Sequence, residues 1–108
     1  MGLTVAAEGP IPWMDPESLA NYSYSRKSDV WSFAIVITEI VNRKMPHPGL
    51  ALEDVFYRVR DSGAHPQLPE GAPDVLKILC DMCFQKDPND RPTMEEVCDI
   101  LNDDPEDD

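Results

Sequence analysis

The chain has 108 residues, of which 42% are hydrophobic, and this is enough for one small domain with a single core. Its 21 acidic residues outnumber its 9 basic residues, and the net charge of -12 would repel nucleic-acid phosphates and anionic lipid headgroups. We therefore expect no direct binding to nucleic acid or to a membrane surface.

Two features of the sequence bear on its location. The N-terminus, residues 1–5, has no basic region ahead of an apolar one and so does not predict a secretory signal. The longest apolar stretch, residues 30–41, contains polar residues and is shorter than the about 20 residues that a membrane-spanning helix requires. We expect a cytoplasmic protein without a membrane partner.

The first part of the chain, residues 1–27, is predicted to be mostly loop because it contains Pro10, Pro12 and Pro16. At most a short helix follows Pro16. Residues 28–43 then carry apolar side chains on every side, a pattern typical of a buried helix. The many β-branched residues would also suit a buried strand, but strands usually run to about 4 to 8 residues, so the length favours a helix.

Two amphipathic helices are predicted next. Gly63 can end the first of them, and the apolar residues at helical spacing ahead of it are Leu52, Val55, Phe56 and Val59. The other is expected to begin at Pro73 and to run to about Lys86.

Thr93 and Glu96 have the spacing of a capping box, which predicts the start of a last helix. The chain is therefore predicted to be all-α, with about four main helices after a loop-rich N-terminal segment. Residues 1–102 should form the one domain. Residues 103–108 are acidic and contain no apolar side chain, so we expect them to be a disordered tail.

Three short motifs occur in order along the chain: WMDPESL at residues 13–19, SDVWSF at 28–33 and DPNDRPT at 87–93. Their order and spacing resemble the end of a eukaryotic protein kinase domain. The first is similar to the A-P-E element that closes the activation segment, the second to the start of the central helix of the large lobe, and the third to the Arg-Pro element near the domain's end. The resemblance implies that residues 1–102 are the C-terminal, helical lobe of a kinase.

Within the kinases, residues 9–14 and 45–49 are most similar to the tyrosine kinases, and the tyrosine-kinase-like serine/threonine group is the alternative. Three positions depart from the usual pattern. Asp15 stands in place of the Ala of A-P-E, and Pro12 stands in place of a basic residue, which leaves the substrate preference open. Ala34 stands in place of a Gly, as in the integrin-linked kinase family, which is regarded as a pseudokinase family.

The resemblance also assigns roles to individual residues. Glu17 and Arg91 are expected to form a buried ion pair that joins the activation segment to the last helices. Asp29 and Trp31 are expected to anchor the catalytic loop. The alternative for Asp29 is a carboxylate that interacts only with the N-terminus of its own helix.

The peptide-substrate groove is expected to be lined by Ile11, Pro12 and Trp13, although Trp13 would equally suit the core. In a fragment of a kinase, the central helix should be partly uncovered where it would anchor the catalytic loop. The residues concerned are Trp31, Val36 and Ile40.

The missing motifs limit what this chain can do alone. The sequence has no G-x-G-x-x-G, no H-R-D and no D-F-G, which bind ATP and Mg²⁺ and direct phosphoryl transfer in kinases. We therefore expect no catalytic, cofactor-binding or metal-binding residue in this chain, and ATP with Mg²⁺ only in the complete kinase. The expected partners are the missing N-terminal part of the kinase domain and a protein substrate.

The alternative function is a non-catalytic, pseudokinase-like interaction module that binds a protein partner. The predicted helix at residues 52–62 is its candidate contact surface.

Cys80 and Cys83 form a C-x-x-C pair, which in other proteins can bind zinc or carry out redox chemistry. A structural zinc site needs four ligands, and only Cys98, His47 and His65 remain to complete one. With three cysteines and no secretory signal, we expect reduced thiols, and for the C-x-x-C pair a place in the core.

Overall fold

The computed structural model describes residues 10–102, which form five α-helices and two short 3₁₀ turns and contain no β-strand. This part of the chain is all-α, as the sequence predicts. In chain order the helices are α1 (Pro16–Asn21), α2 (Arg26–Asn42), α3 (Leu52–Ser62), α4 (Asp74–Cys83) and α5 (Met94–Asn102).

The first 3₁₀ turn, Ile11–Trp13, precedes α1, and the second, Pro88–Asp90, lies between α4 and α5. No helix within residues 10–102 is both long enough and apolar enough to cross a membrane. The expected disordered tail, residues 103–108, lies outside the described residues.

Side-chain caps determine where α1 and α2 begin. The Asp15 carboxylate accepts a hydrogen bond from the backbone N–H of Ser18 at 3.1 Å, which satisfies one of the free donors at the start of α1. Ser25 caps α2 and exchanges hydrogen bonds with Ser28. Because of this reciprocal cap, α2 begins at Arg26, two residues before the predicted start.

The end of α3 and the start of α5 follow the local sequence. Gly63 ends α3 with a φ of 67°, in the left-handed region that glycine adopts without strain. At the start of α5, the backbone N–H of Thr93 donates to Glu96 Oε1 at 2.8 Å, and the N–H of Glu96 donates to Thr93 Oγ1 at 3.1 Å. The predicted capping box is therefore present.

α4 is shorter than the sequence pattern predicts. Pro73 lies just outside the helix as its N-cap, and the helix ends at Cys83, three residues before Lys86. Just past this end, the guanidinium of Arg91 donates to the carbonyls of Gln85 and Lys86 at 2.7 and 3.1 Å, so these residues bond to Arg91 outside the helix. Both predicted ends of α4 are thus corrected.

α2 is the central helix. It contacts α4, α5 and the first 3₁₀ turn, while α1 packs on α3. The completely buried side of α2 includes Val30, Trp31, Ala34 and Ile35. These side chains form the middle of the hydrophobic core.

The opposite side of α2 is exposed, although the sequence predicts a helix buried all round. Val36 is 40% exposed and Ile40 is 71% exposed, in line with the expectation for a fragment. Trp31 is completely buried, and here the same expectation is wrong. Its ring lies 5.0 Å from the ring of Phe84 and is covered by the guanidinium of Arg91 at 5.1 Å, so contacts within this chain replace solvent.

Replacing Gly63 with alanine should lower the free energy of unfolding by about 1 kcal/mol or more. Alanine is strained at this φ, and its Cβ would lie 3.1 Å from two side-chain atoms of Lys86. Gly71→Ala is the matched control, because nothing lies within 4 Å of the Cβ added there. Urea unfolding measures both variants, and equal losses would contradict this explanation of the α3 end.

Candidate functional site

Arg91 follows the second 3₁₀ turn and is only 2% exposed. Its guanidinium makes two parallel contacts with Glu17, from Nη1 to Oε2 at 2.8 Å and from Nη2 to Oε1 at 2.9 Å. Nη1 also contacts Asp15 Oδ2 at 3.0 Å. The structure thus brings together the two residues that the resemblance pairs, in the bidentate geometry that suits an arginine. Asp15, Glu17 and Arg91 are called the Arg91 cluster below.

Backbone carbonyls surround the same guanidinium. Besides the carbonyls of Gln85 and Lys86 at the end of α4, that of Lys27 accepts from Nη1 at 3.1 Å. The ammonium of Lys27 in turn donates to the carbonyl of Arg91 at 2.6 Å and to that of Pro88 at 3.3 Å. Each nitrogen of the buried guanidinium therefore has a partner, as a buried charge requires.

The two carboxyl groups of the Arg91 cluster differ in their affinity for a proton. Burial raises the pKa of Glu17; the contact with Arg91 opposes the rise and the neighbouring Asp15 adds to it. Burial acts in the same direction on Asp15, but hydrogen bonds that involve Glu17, Ser18 and Ser28 outweigh it and lower the pKa of Asp15. Glu17 is thus the group that binds a proton more readily, because the hydrogen bonds around Asp15 favour its charged form.

Asp15 is the member of the cluster that the sequence did not reveal. Its place before Pro16 is a local signal for a helix cap, and it does cap α1. The contact with Arg91 joins residues 76 positions apart, so no local pattern indicates it. The only signal in the sequence was the departure from the Ala that kinases usually have at this position.

The three predicted groove residues, Ile11, Pro12 and Trp13, lie in the first 3₁₀ turn but not in one environment. Ile11 is 2% exposed and belongs to the core beside α3, which corrects the expectation that it lines a groove. Pro12 and Trp13 are partly exposed. Trp13 is attached to α2, because its Nε1 donates to Glu39 Oε1 at 2.6 Å and its carbonyl accepts from Ser32 Oγ at 2.6 Å. Pro12 and Trp13 are the part of this turn that a peptide could reach.

His47, which follows α2, is buried and contacts the first 3₁₀ turn. It is 7% exposed and hydrogen-bonds the backbone of Pro12. Burial lowers the pKa of His47, the Pro12 contact opposes this, and His65 adds to the lowering. The ring is therefore neutral at pH 7. Its Nε2 has no hydrogen-bond partner within residues 10–102.

Asp29 and Trp31, the expected anchors of a catalytic loop, lie on different sides of α2. Trp31 is buried against the Arg91 cluster. Asp29 is exposed, and its carboxylate accepts a hydrogen bond from the hydroxyl of Tyr24. A cavity of about 330 Å³ lies between Asp29 and the first 3₁₀ turn.

Asp29, Val36 and Ile40 are spaced so that they lie on the same exposed side of α2. We call this side the open face of α2. It carries one carboxylate at its N-terminal end and two large aliphatic side chains further along.

The cysteines have no arrangement for metal binding. Cys80 and Cys83 are buried, and burial raises the pKa of their thiols to about 11 and about 12. Cys98 is exposed on α5. Within the described part of the chain, no group of His, Cys, Asp and Glu side chains could hold a metal ion. Cys80 and Cys83 are therefore protonated core thiols at neutral pH.

Comparison with known proteins agrees with the motifs and with the fold. The model of the protein tyrosine and serine/threonine kinase family matches residues 3–101. Tyrosine-protein kinase SRK3 of Spongilla lacustris is 41% identical over 95 residues, which cover 87% of this chain. The insulin receptor of Xenopus laevis is 43% identical over 96 residues, 88% of this chain. Inactive tyrosine-protein kinase 7 of Mus musculus is 36% identical over 99 residues, 91% of this chain.

The chain therefore belongs to the protein tyrosine and serine/threonine kinase family. It covers only a part of these relatives: 28% of the sponge kinase, 7% of the insulin receptor and 9% of the inactive kinase. The matched part is all-helical in this structure, as in the helical lobe that the motifs indicate.

Arg91→Lys should lower the free energy of unfolding by about 2 kcal/mol or more, because lysine keeps the charge but cannot reproduce the bidentate contact with Glu17 or reach the carbonyls. The matched control is Arg58→Lys, which changes an exposed arginine on α3 and should leave the urea midpoint unchanged. Equal midpoints for Arg91→Lys and the unmodified chain would rule out the structural role of the cluster.

Proposed function

We propose that this chain is the C-terminal helical part of a protein kinase domain, and that the complete domain transfers the γ-phosphoryl group of ATP to hydroxyl groups of protein side chains. Tyrosine is the favoured acceptor, because the relative from Spongilla lacustris carries tyrosine-protein kinase in its name. Serine and threonine are the alternative acceptors, since the matching family includes both kinds of kinase. The small share of each relative that the chain covers supports a role within a longer protein.

The open face of α2 is the observation that carries this proposal. α2 is the central helix and its other side is completely buried, yet Val36 and Ile40 point away from the core. Full burial of a side chain of this size stabilises a protein by about 1.5 to 3 kcal/mol, so a central helix with such a face is suited to being covered by further protein. By resemblance, the covering element includes the catalytic loop, which this helix anchors in kinases.

Asp29 fits the same proposal. It lies at the N-terminal end of the open face, beside the cavity of about 330 Å³, where its carboxylate can accept backbone hydrogen bonds. In this chain alone it is bonded to Tyr24. In the complete domain, Asp29 would exchange Tyr24 for the backbone N–H groups of the catalytic loop and thereby position that loop.

The residues present do not fit ATP and Mg²⁺. The motifs that cradle the phosphates and coordinate Mg²⁺ do not occur in the sequence, and residues 10–102 contain no cluster of metal-ligating side chains. We therefore derive no step of phosphoryl transfer from this chain. Its contribution in the complete kinase would be to position the catalytic loop at Asp29 and the acceptor peptide at Pro12 and Trp13.

The second candidate is a non-catalytic interaction module. One relative, 36% identical to this chain, is named an inactive tyrosine-protein kinase. Similarity to the kinase family is therefore compatible with a protein that is named inactive. In that case a protein partner would use the exposed side of α3, where Leu52 and Tyr57 are 49% and 43% exposed.

An antibody raised against this chain should precipitate, from the source cells, a protein much larger than 12.2 kDa that phosphorylates a Glu–Tyr copolymer or a serine/threonine substrate with ATP. Asp29→Asn in that protein should reduce phosphoryl transfer roughly tenfold or more, because the amide loses a charge-assisted acceptor. The control is Asp99→Asn, which removes the same charge at an exposed position on α5 and should not change the rate.

The outcomes separate the two functions. A large protein with activity that depends on Asp29 supports the kinase proposal. A large protein without phosphoryl transfer supports the interaction module, and a native polypeptide of 12.2 kDa contradicts a role within a larger kinase.

A further inference from the structure

The Arg91 cluster contains one positive group and two carboxyl groups. The side chains of Asp15 and Arg91 are completely buried, and that of Glu17 is 17% exposed. If both carboxyl groups are ionised, the cluster has a net charge of -1 in a place with little water. A buried charge without a partner is costly, and proteins commonly avoid it by binding or losing a proton.

The two carboxyl groups meet at a single nitrogen. Asp15 Oδ2 and Glu17 Oε2 are 3.0 and 2.8 Å from Nη1 of Arg91, so the two carboxyl groups lie close to each other. Two carboxylates are only acceptors, so they can hydrogen-bond each other only when one of them carries a proton. Like charges at this separation also disfavour ionisation of the second group.

Within residues 10–102, no other cation contacts the two carboxyl groups. Lys27, at the start of α2, directs its ammonium to the carbonyls of Pro88 and Arg91. The remaining polar contacts of Asp15 come from Ser18 on α1 and Ser28 on α2, which are neutral.

The other charged groups on the neighbouring elements are directed elsewhere. Asp29 on α2 is bonded to Tyr24, Asp87 before the second 3₁₀ turn accepts from the N–H of Asn89, and Glu96 on α5 caps its own helix. The protonation state of the cluster therefore depends on Asp15, Glu17 and Arg91 themselves.

We propose that Asp15 and Glu17 share one proton in the folded chain, so that the cluster attaches α1 to the segment before α5 most tightly in mildly acidic solution and less tightly at neutral pH. This inference is independent of the proposed function, because every group in it belongs to this chain. It would make the position of α1 and of the first 3₁₀ turn responsive to pH.

The pKa shifts of the two groups agree in sign with this proposal. The pKa of Glu17 is raised in the folded chain, so its contribution is fully present below the ordinary value of 4.5 and is lost as the pH rises through the raised pKa. The pKa of Asp15 is lowered, so its contribution is present above 3.8 and is lost as the pH falls through the lowered pKa. The two contributions together are largest near pH 4 and decline toward neutrality.

Asp15→Asn is the direct test. An asparagine can still cap α1 with its oxygen, and its amide N–H group can donate to Glu17 as a protonated Asp15 would, but it cannot also accept the hydrogen bond from Arg91. The lost Arg91 contact should raise the unfolding equilibrium constant at every pH, so the ratio of the variant's constant to that of the unmodified chain is compared between pH 4 and pH 7.5. This ratio should be smaller at pH 7.5 than near pH 4, because the variant lacks the neighbouring negative charge that disfavours an ionised Glu17.

Asp99→Asn is the control for overall charge, because it removes one negative charge from an exposed site on α5. Urea unfolding of the three proteins between pH 4 and pH 7.5 gives the comparison. A ratio that decreases between pH 4 and pH 7.5 for Asp15→Asn, and not for Asp99→Asn, supports the proposal. The same pH dependence in the two variants, or a ratio for Asp15→Asn that does not decrease, would overturn it.

A second measurement needs no variant. The side-chain carboxyl carbon of Glu17, followed by NMR in the unmodified chain, should titrate above the ordinary value of 4.5. Titration of Glu17 below that value would show that both carboxylates are ionised beside Arg91 and would overturn the shared proton even if Asp15→Asn fails to fold.

Discussion

The attachment of the first part of the chain to its last part depends on the guanidinium of Arg91. It lies at the meeting point of α1, the start of α2 and the end of α4, and its contact with Glu17 spans 74 residues. The segment that includes the first 3₁₀ turn and α1 is short and rich in proline, so its own helix contributes little stability. Its order depends on the packing of α1 on α3 and on this buried ion pair.

The Arg91 cluster also determines features that are not electrostatic. The guanidinium covers the ring of Trp31 at 5.1 Å, and so completes the burial of the central helix on one side. Its hydrogen bonds to the carbonyls of Gln85 and Lys86 engage the chain just past the end of α4. One side chain therefore contributes both to the packing of the core and to the hydrogen bonding of the chain after α4. The other side of α2, with Val36 and Ile40 exposed, is not completed by any described residue.

Much of the fold could be predicted from the sequence because the signals were local. The periodicity of apolar residues predicted α3, and Gly63 and the Thr93–Glu96 box predicted two helix ends to the residue. What could not be predicted depends on tertiary packing and on side-chain contacts with the backbone. Arg91 bonds to the carbonyls just past the end of α4 and covers Trp31, and Ile11 is buried where the first 3₁₀ turn packs against α3.

The candidate site shows the same division. Glu17 and Arg91 were paired on the resemblance to kinases, and Asp15 was visible only as a departure from the family pattern. Its second role could not be inferred, because a carboxylate before Pro16 is fully explained as a helix cap. Only the structure shows that the same side chain also contacts a guanidinium 76 residues away.

Arg91 attaches α1 to the rest of the chain through Glu17 and Asp15. Hydrogen exchange of the backbone amides measures this attachment most directly, when the unmodified chain and Arg91→Lys are compared residue by residue. We expect a selective loss of protection in α1, at amides such as those of Leu19 and Tyr22, which donate to the carbonyls of Asp15 and Ser18, with smaller losses in α3. Unchanged protection in α1, or the same loss in every helix, would contradict it.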